Sequence, residues 1–317
     1  TITSRFTFDG EQVSVETRMH PARDMLLVDI RSKLVAEGRL GVDVRYPGVA
    51  AKFNPDPSDF VRDQLHSSDV ITSAPGHALI KRTIDSTVYW SSIAAPNDNV
   101  TKSGQHQFHI YAKSGDHLQV AVSFERMQPG SPASVKDGAS AVGRYWRDYW
   151  AKGGMVDLTG STDPRAGELQ RRIILSQYLA AINQAGDTPP QEEGLFSNSW
   201  NGKFHLEVQP IHLSHWAQWG RPQYLEKNLG WYLGNLPRAK EVAKRHSADG
   251  AWWTKMTGPD GLNSPSTINP FIMWQQPAPI HMAELLWRTK RDRATLDRYA
   301  ELVDETAKLL ASWPQRD

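Results

Sequence analysis

The sequence predicts an α+β chain of more than one domain: an antiparallel β-sandwich, a helical linker, then a set of helical hairpins. Three observations carry this. The first 130 residues show strand-like alternation broken by Gly, Asp, Asn, Ser and Pro. From Ser140 onward, apolar residues recur at three- and four-residue spacing. Finally, Pro210-Ile211-His212-Leu213 returns as Pro279-Ile280-His281-Met282, and each copy leads through a polar turn into a longer amphipathic stretch. The length of 317 residues fits about two domains.

The strands follow in order. Ile2 to Phe8 and Val13 to Arg18 alternate on either side of Asp9-Gly10, the sequence of a tight hairpin. Leu26 to Ile30, Leu40 to Tyr46, Ala78 to Ile84, Thr87 to Ile93, Gln107 to Lys113 and Leu118 to Phe124 complete a set of about eight, as in a β-sandwich. His106 and His109 are not on one strand face, so sheet packing or solvation accounts for them better than a metal does.

Residues 129–160 read as a linker holding one helix, with Pro129 to Gly138 rich in Pro, Gly and Ser and a helical pattern from Ser140 to Ala151. This sets the boundaries at 1–128 for the sandwich and 161–317 for the helical-hairpin domain. There, Asp163-Pro164 predicts an N-cap and first-turn proline. The helix runs to about Ala185 and is expected to bury Leu169, Ile173, Ile174, Ser176, Tyr178 and Leu179 to varying degrees. Long helices are expected over Tyr224 to Arg245 and Ala294 to Ser312. Because the chain reverses at every turn, the two long loops, Asp187 to Gln209 and Ser247 to Ala278, fall at one end of the array. Loops of this length are usually functional or disordered, and four Trp (Trp200, Trp252, Trp253, Trp274) argue against disorder. The repeated His212 and His281 read as one structural contact made twice.

Composition excludes several classes. Lys plus Arg is 36 against 35 for Asp plus Glu, so there is no basic excess to drive nucleic-acid binding. No apolar run reaches the roughly 18 residues of a membrane span. Cysteine is absent, which removes thiol catalysis and Cys-ligated metals. Twelve Trp, nine of them at or after position 200, suit large packing interfaces or a surface on which sugar rings stack. The chain opens at Thr1 within a strand pattern and closes just after a helical one, the expectation being a fragment or a processed chain.

The loops bring together carboxylates, amides, Lys, His and Trp, the groups that recognise polyols: acids and amides bind hydroxyls in pairs, and an aromatic face covers the C–H face of a sugar. Glu207 and Asp260 are the candidates for proton chemistry, since glycoside cleavage needs an acid on the leaving oxygen and a base or nucleophile opposite it. Glu207 precedes a predicted helix N-terminus, which favours its anion and a hydroxyl-accepting or basic role. A helix cap or a salt bridge to Lys203 is its structural alternative, and a simple turn role that of Asp260. Trp200, Lys203, His205, Gln209, Lys255, Trp274, Gln275 and Gln276 are expected to line the sugar pocket. Glu192 and Glu193 read as solvated. His205, His212 and His215 lack a sequence-near carboxylate to complete a familiar zinc motif, so no metal is expected.

The order of sandwich, helical linker and helical hairpins resembles the six-hairpin glycosidases, in particular glycoside hydrolase families 95 and 65. Pro190-Gln191-Glu192-Glu193-Gly194-Leu195-Phe196 through Trp200 and Lys203-Phe204-His205-Leu206 resembles the family 95 α-L-fucosidase segment before the first inner helix. That family carries two Asn, two residues apart, that help activate water; Glu207 and Gln209 stand at the matching places here. Thr257-Gly258-Pro259-Asp260 resembles the family 65 Thr-Gly-Pro-Asn-Glu segment that bears the general acid. Gly261 replaces that Glu, and Asp260 is the nearest substitute. The resemblance implies an (α/α)6 toroid, here incomplete because five barrel helices are readable of twelve, so that the rest of the polypeptide would be a partner. It implies an inverting glycoside hydrolase acting at the non-reducing end of an oligosaccharide, without cofactor, and export to the periplasm or secretion. A glycoside phosphorylase and a non-catalytic carbohydrate-binding module stand as alternatives.

Overall fold

The computed structural model describes residues 1–50, 58–96, 98–130, 134–195, 199–264 and 272–312. Phe196, Asn269, Pro270, Phe271, Trp313 and part of the expected linker segment (131–133) lie outside these residues. The chain divides into two units, one of Thr1–Lys52 and Pro57–Ala151, the other essentially of Lys152–Asp317. Among the described residues no helix is long and apolar enough to cross a membrane.

The first unit contains β1 (Ile2–Phe8), β2 (Glu11–Met19), β3 (Met25–Arg31), a one-turn helix α1 (Lys33–Ala36), β4 (Val42–Arg45), β5 (Gly48–Val49), β6 (Ser58–Asp59), β7 (His66–Ala74), β8 (His77–Ile84), β9 (Thr87–Ala94), β10 (Asn99–Gly104), β11 (Gln107–Tyr111), β12 (His117–Glu125) and helix α2 (Val135–Ala151). Seven strands form one antiparallel sheet in the order β1-β2-β3-β12-β9-β8-β7, and β10-β11-β4 form a second. Asp9 and Gly10 both take positive φ (48° and 80°), the geometry that closes the two-residue β1–β2 hairpin.

The alternation of β12 explains the layering. Leu118, Val120 and Val122 join Ile30, Ile80 and Ile93 of the large sheet and Phe108 and Ile110 of the small one in a single core. Ala121 points the other way, with Met25, Leu27 and Ala94, toward Val135, Val142 and Trp146 of α2. Gly138 permits that approach, since a Cβ there would sit 2.7 Å from the Leu27 side chain. The expectation missed β7 and β10. Both are largely exposed, and their sequences, His66-Ser67-Ser68-Asp69 onward and Asn99-Val100-Thr101-Lys102, carry no clean apolar alternation.

A buried polar network lies between these layers. The Arg82 guanidinium is fully buried. It donates to Ser67 O (2.7 Å), Ser68 Oγ (2.6 Å), Pro47 O (2.9 Å), His66 Nδ1 (2.9 Å) and His106 Nδ1 (3.3 Å). Among the described residues it has no carboxylate partner. The His66 and His106 rings stack 3.8 Å apart. A guanidinium only donates, so both Nδ1 atoms accept, and each ring carries its proton on Nε2. Burial, then His106 and Arg82, hold the His66 pKa below its usual value, with Asp63 and Asp59 opposing weakly. The sign follows. The unfolded chain takes up a proton near pH 6.5 before the folded one does, so this contribution to stability is intact above that pH and is lost as pH falls below it. Calorimetric unfolding between pH 8 and 5 is expected to show falling stability, with a shallower slope in His66→Gln. An identical slope in the two proteins would contradict the assignment.

The second unit holds α3 (Ala166–Gln184), β13 (Phe204–His205), α4 (Gln209–Gln218), α5 (Pro222–Arg245), β14 (Met256–Thr257), α6 (Ala278–Lys290) and α7 (Arg293–Ser312). The helices pack α3 on α4, α4 on α5 and α6, α5 on α6 and α7, and α6 on α7. Leu213, Trp216, Leu225, Leu229, Tyr232 and Leu286 are among the buried residues. Pro210 and Pro279 both occupy the first turns of α4 and α6, as their recurrence suggested.

Three expectations are corrected here. Asp163 does not cap α3: its Oδ1 accepts from Arg165 N in a turn just upstream, and the helix begins at Ala166. The buried residues of α3 are Gln177 and Ala181, while Leu169, Ser176 and Leu179 are exposed, because α4 is the helix packed against it. His212 and His281 do not repeat one contact: His281 Nε2 meets Ser214 Oγ at 3.2 Å, whereas the buried Nδ1 of His212 has no hydrogen-bond partner among the described residues.

Candidate active site

Two loops separated by some fifty residues meet at a short ladder. β13 and β14 pair antiparallel, Phe204 with Thr257 and His205 with Met256. Leu206 N donates to Lys255 O at 2.8 Å, and Gln191 bridges to Phe204 on the other side. Backbone pairing therefore fixes where the side chains of Gln191–His205 and of Lys255 fall relative to one another.

Glu207 sits in a one-turn 3-10 segment, Leu206–Val208, directly before α4. Its side chain is 6% exposed, and its Oε1 lies 2.9 Å from Lys255 Nζ. The ion-pair partner is therefore Lys255 and not Lys203. Burial raises the Glu207 pKa, but hydrogen bonds with His205 and Lys255 outweigh it, and the net shift is downward. Glu207 is an anion at neutral pH. His205 is 1% exposed; its Nδ1 lies 3.1 Å from Glu192 Oε2, 3.1 Å from Lys255 Nζ and 3.6 Å from Glu207 Oε1. Glu192, read from sequence as solvated, is thus half-buried against His205, whereas Glu193 is exposed.

Trp200 covers this group. Its backbone takes φ of 52°, a left-handed conformation that bulky residues rarely hold. Its ring lies 5.4 Å from the His205 ring and 5.9 Å from Lys255 Nζ. With 44% of its surface exposed, it offers part of the indole to solvent. Below, the Tyr232 hydroxyl is buried, and burial together with the Glu207 charge drives its pKa up. Among the described residues, His205 Nε2, Glu207 Oε2, Gln209 Oε1 and Tyr232 Oη are all buried without a hydrogen-bond partner. Native interiors leave few polar atoms in this condition, and a carboxylate oxygen together with three such atoms on neighbouring residues calls for an explanation.

The remaining expected residues separate into groups. Gln209 is fully buried, and its amide donates to Pro190 O (3.2 Å) and His205 O (3.0 Å), tying loop to helix. Gln275 and Gln276 are also buried and grip the second loop. Gln276 accepts from Trp253 N and donates to Trp253 O, both at 2.8 Å, and Gln275 donates to Trp253 O and Ile272 O. Trp274 is 71% exposed. Asp260 is exposed on the Gly258–Gly261 turn, where its Oδ1 accepts from Leu262 N at 3.1 Å. Lys203 belongs to the same corner, since a Cβ on Gly258 would lie 3.4 Å from Lys203 Nζ and 3.6 Å from Asp260 Oδ1. Trp252 and Trp253 are buried, Trp252 against Ala243 and Leu309 and Trp253 against Tyr232 and Thr306. Glu192 and Tyr232 were not candidates: Glu192 sits in a polar run, and Tyr232 follows the apolar periodicity of α5.

One grouping has metal-like spacing. Ligand atoms of Asp63, His66 and His106, in the first unit, lie within 4.8 Å of one another. Arg82 places its positive charge behind both rings and pins the Nε2-protonated tautomer, which cannot ligate a cation through Nε2.

No family model matches the chain, and no curated protein matches it. Among solved structures it is similar to a protein assigned as a kojibiose phosphorylase, from human microbiome, with a TM-score of 0.69 and 11% identity over 98% of this chain and 44% of the other. It also matches a bacterial glucoamylase complexed with acarbose, with a TM-score of 0.46 and 12% identity over 94% of this chain and 45% of that one. The chain spans less than half the length of either structure. The likeness to the first, at 11% identity, shows a shared fold and nothing more.

Proposed function

We propose that the chain belongs to a carbohydrate-active enzyme, a glycoside hydrolase that cleaves a glycosidic bond of an oligosaccharide with inversion. In this reading α3 to α7 are helices of an (α/α)6 domain and the first unit is its β-sandwich. The observation that carries the proposal is the set of buried polar atoms at Glu207 that have no partner among the described residues, with Trp200 beside them. Sugar hydroxyls both donate and accept, so they match carboxylate, imidazole and phenol together, while the indole takes the apolar face of the ring.

The chemistry follows from charge. Glu207, held ionised by Lys255 and His205, is suited to accept a proton from water or a sugar hydroxyl. Asp260, on the rim beside Lys203, is the proposed donor to the leaving oxygen. Trp200, Lys203, His205 and Lys255 would contact the sugar, with Trp274 as an outer surface; Gln209, Gln275 and Gln276 hold the loops in place. A phosphorylase is the second reading. It is favoured by the fold likeness to a protein assigned as one and by Lys203, an ammonium on the rim.

Turnover of aryl glycosides and oligosaccharides, with and without inorganic phosphate, separates the two readings. Glu207→Gln is expected to lower kcat by about 10²- to 10⁴-fold, the usual contribution of a proton-transfer group, and Asp260→Asn by an amount at the lower end of that range. Unchanged rates in both variants would remove the assigned roles.

A further inference from the structure

The first unit has a recess that this chemistry does not use. The end of β4, the segment following β6 and the β10–β11 turn meet around a small cleft of about 110 Å³, open to solvent and lined by Arg45, Phe60, Asp63, Gln105, His106 and Gln107. The floor is fixed. His106 is buried, with Nδ1 toward Arg82, its ring on His66 and Nε2 donating to Asp63 O at 2.9 Å. Gln105 Nε2 donates to the same carbonyl at 3.2 Å. These two bonds hold the Asp63 backbone and leave its carboxylate outside them. Phe60 is 45% exposed, and the Arg45 guanidinium lies 5.0 Å from its ring centroid. Among the described residues, neither Arg45 nor Asp63 forms an ion pair.

We propose that this cleft binds a neutral oligosaccharide, at a site separate from the one around Glu207. Its charges argue against a charged ligand. An anion would meet the Asp63 carboxylate, and a cation would meet Arg45, with the Arg82 guanidinium behind the floor. A sugar satisfies both signs at once: one hydroxyl donates to Asp63, another accepts from Arg45, and the Gln105 and Gln107 amides serve either role. Phe60 supplies the aromatic surface that a pyranose C–H face covers. A zwitterion such as a free amino acid would also meet both charges but would make no use of the ring. The assignment does not depend on the catalytic reading, because no residue is shared.

The test is saturation-transfer NMR with calorimetric titration on the whole chain. The probes are maltohexaose, cellohexaose, xylohexaose and chitohexaose, with sodium phosphate and glycine as small charged comparisons. At least one oligosaccharide is expected to bind. Phe60→Ala and Arg45→Ala are each expected to weaken it by about tenfold or more, without lowering the unfolding temperature, since both side chains are on the surface. Trp200→Ala is expected to leave this binding unchanged. Three outcomes would each overturn the proposal: no oligosaccharide binds; binding is lost in Trp200→Ala but kept in Phe60→Ala and Arg45→Ala; or only phosphate or glycine binds. A chain that turns over no glycoside yet shows the expected pattern would sink the catalytic reading and keep this one.

Discussion

Glu207→Gln is expected to destabilise the second unit by about 3 kcal/mol or more. The substitution keeps shape and hydrogen bonding but leaves Lys255, only 12% exposed, as a buried ammonium without its counter-ion. Breaking a buried pair from one side typically costs about 3–5 kcal/mol, most of it the penalty on the charge left behind. Lys255→Met should be comparably harmful, and the double variant should be more stable than the sum of the two losses implies. Urea unfolding of the four proteins measures the coupling; strict additivity would mean that the pair carries no energy of its own. The difference also depends on pH. The folded carboxyl is held below its ordinary value, so its contribution is present above the unfolded carboxylate range and lost as pH falls through the folded value. The gap between wild type and Glu207→Gln should therefore narrow on acidification.

Arg82→Met should cost the first unit about 3–5 kcal/mol. The guanidinium satisfies the carbonyls of Pro47 and Ser67 and the Nδ1 atoms of His66 and His106, all away from water. Removing it strands several acceptors at once, and each buried unsatisfied group costs on the order of 1–3 kcal/mol, partly relieved by relaxation. Arg82→Lys should not rescue, because a single ammonium on a flexible stem cannot reproduce a planar fork reaching five acceptors. Thermal unfolding followed at the first unit decides this. A Met variant as stable as wild type would mean that the network is neutral and only packing is being measured.

Much of the architecture was legible because the sequence states it locally. Asp9-Gly10 can close a two-residue hairpin, Leu118 to Phe124 alternates as a strand, and Pro210 and Pro279 mark two helix starts. What escaped notice lacks a local signature. β7 and β10 are held by pairing to neighbouring strands, not by an apolar face of their own. The exposed leucines of α3 looked like core residues because periodicity reports which residues share a face, not whether anything lies opposite it.

The site divides in the same way. The two loops and Glu207, His205, Lys255 and Trp200 could be picked out by residue type. Their partners could not: Lys255 instead of Lys203 faces Glu207, and Glu192 faces His205, because a cross-loop ladder some fifty residues apart decides both. Gln275 and Gln276 have the residue type of sugar ligands but use their amides on the Trp253 backbone. From sequence, an amide that binds a ligand and one that binds its own chain look alike.

The two-rung pairing of Phe204–His205 with Met256–Thr257 also bears on the order of folding. Closing such a long span costs conformational freedom that two backbone rungs cannot repay alone, so the rungs should form only after α4 and α5 have docked. The region around Glu207 would then be the last part of the helical unit to assemble and the first to open. Amide exchange at Leu206 should be faster than at Leu229, in the middle of α5.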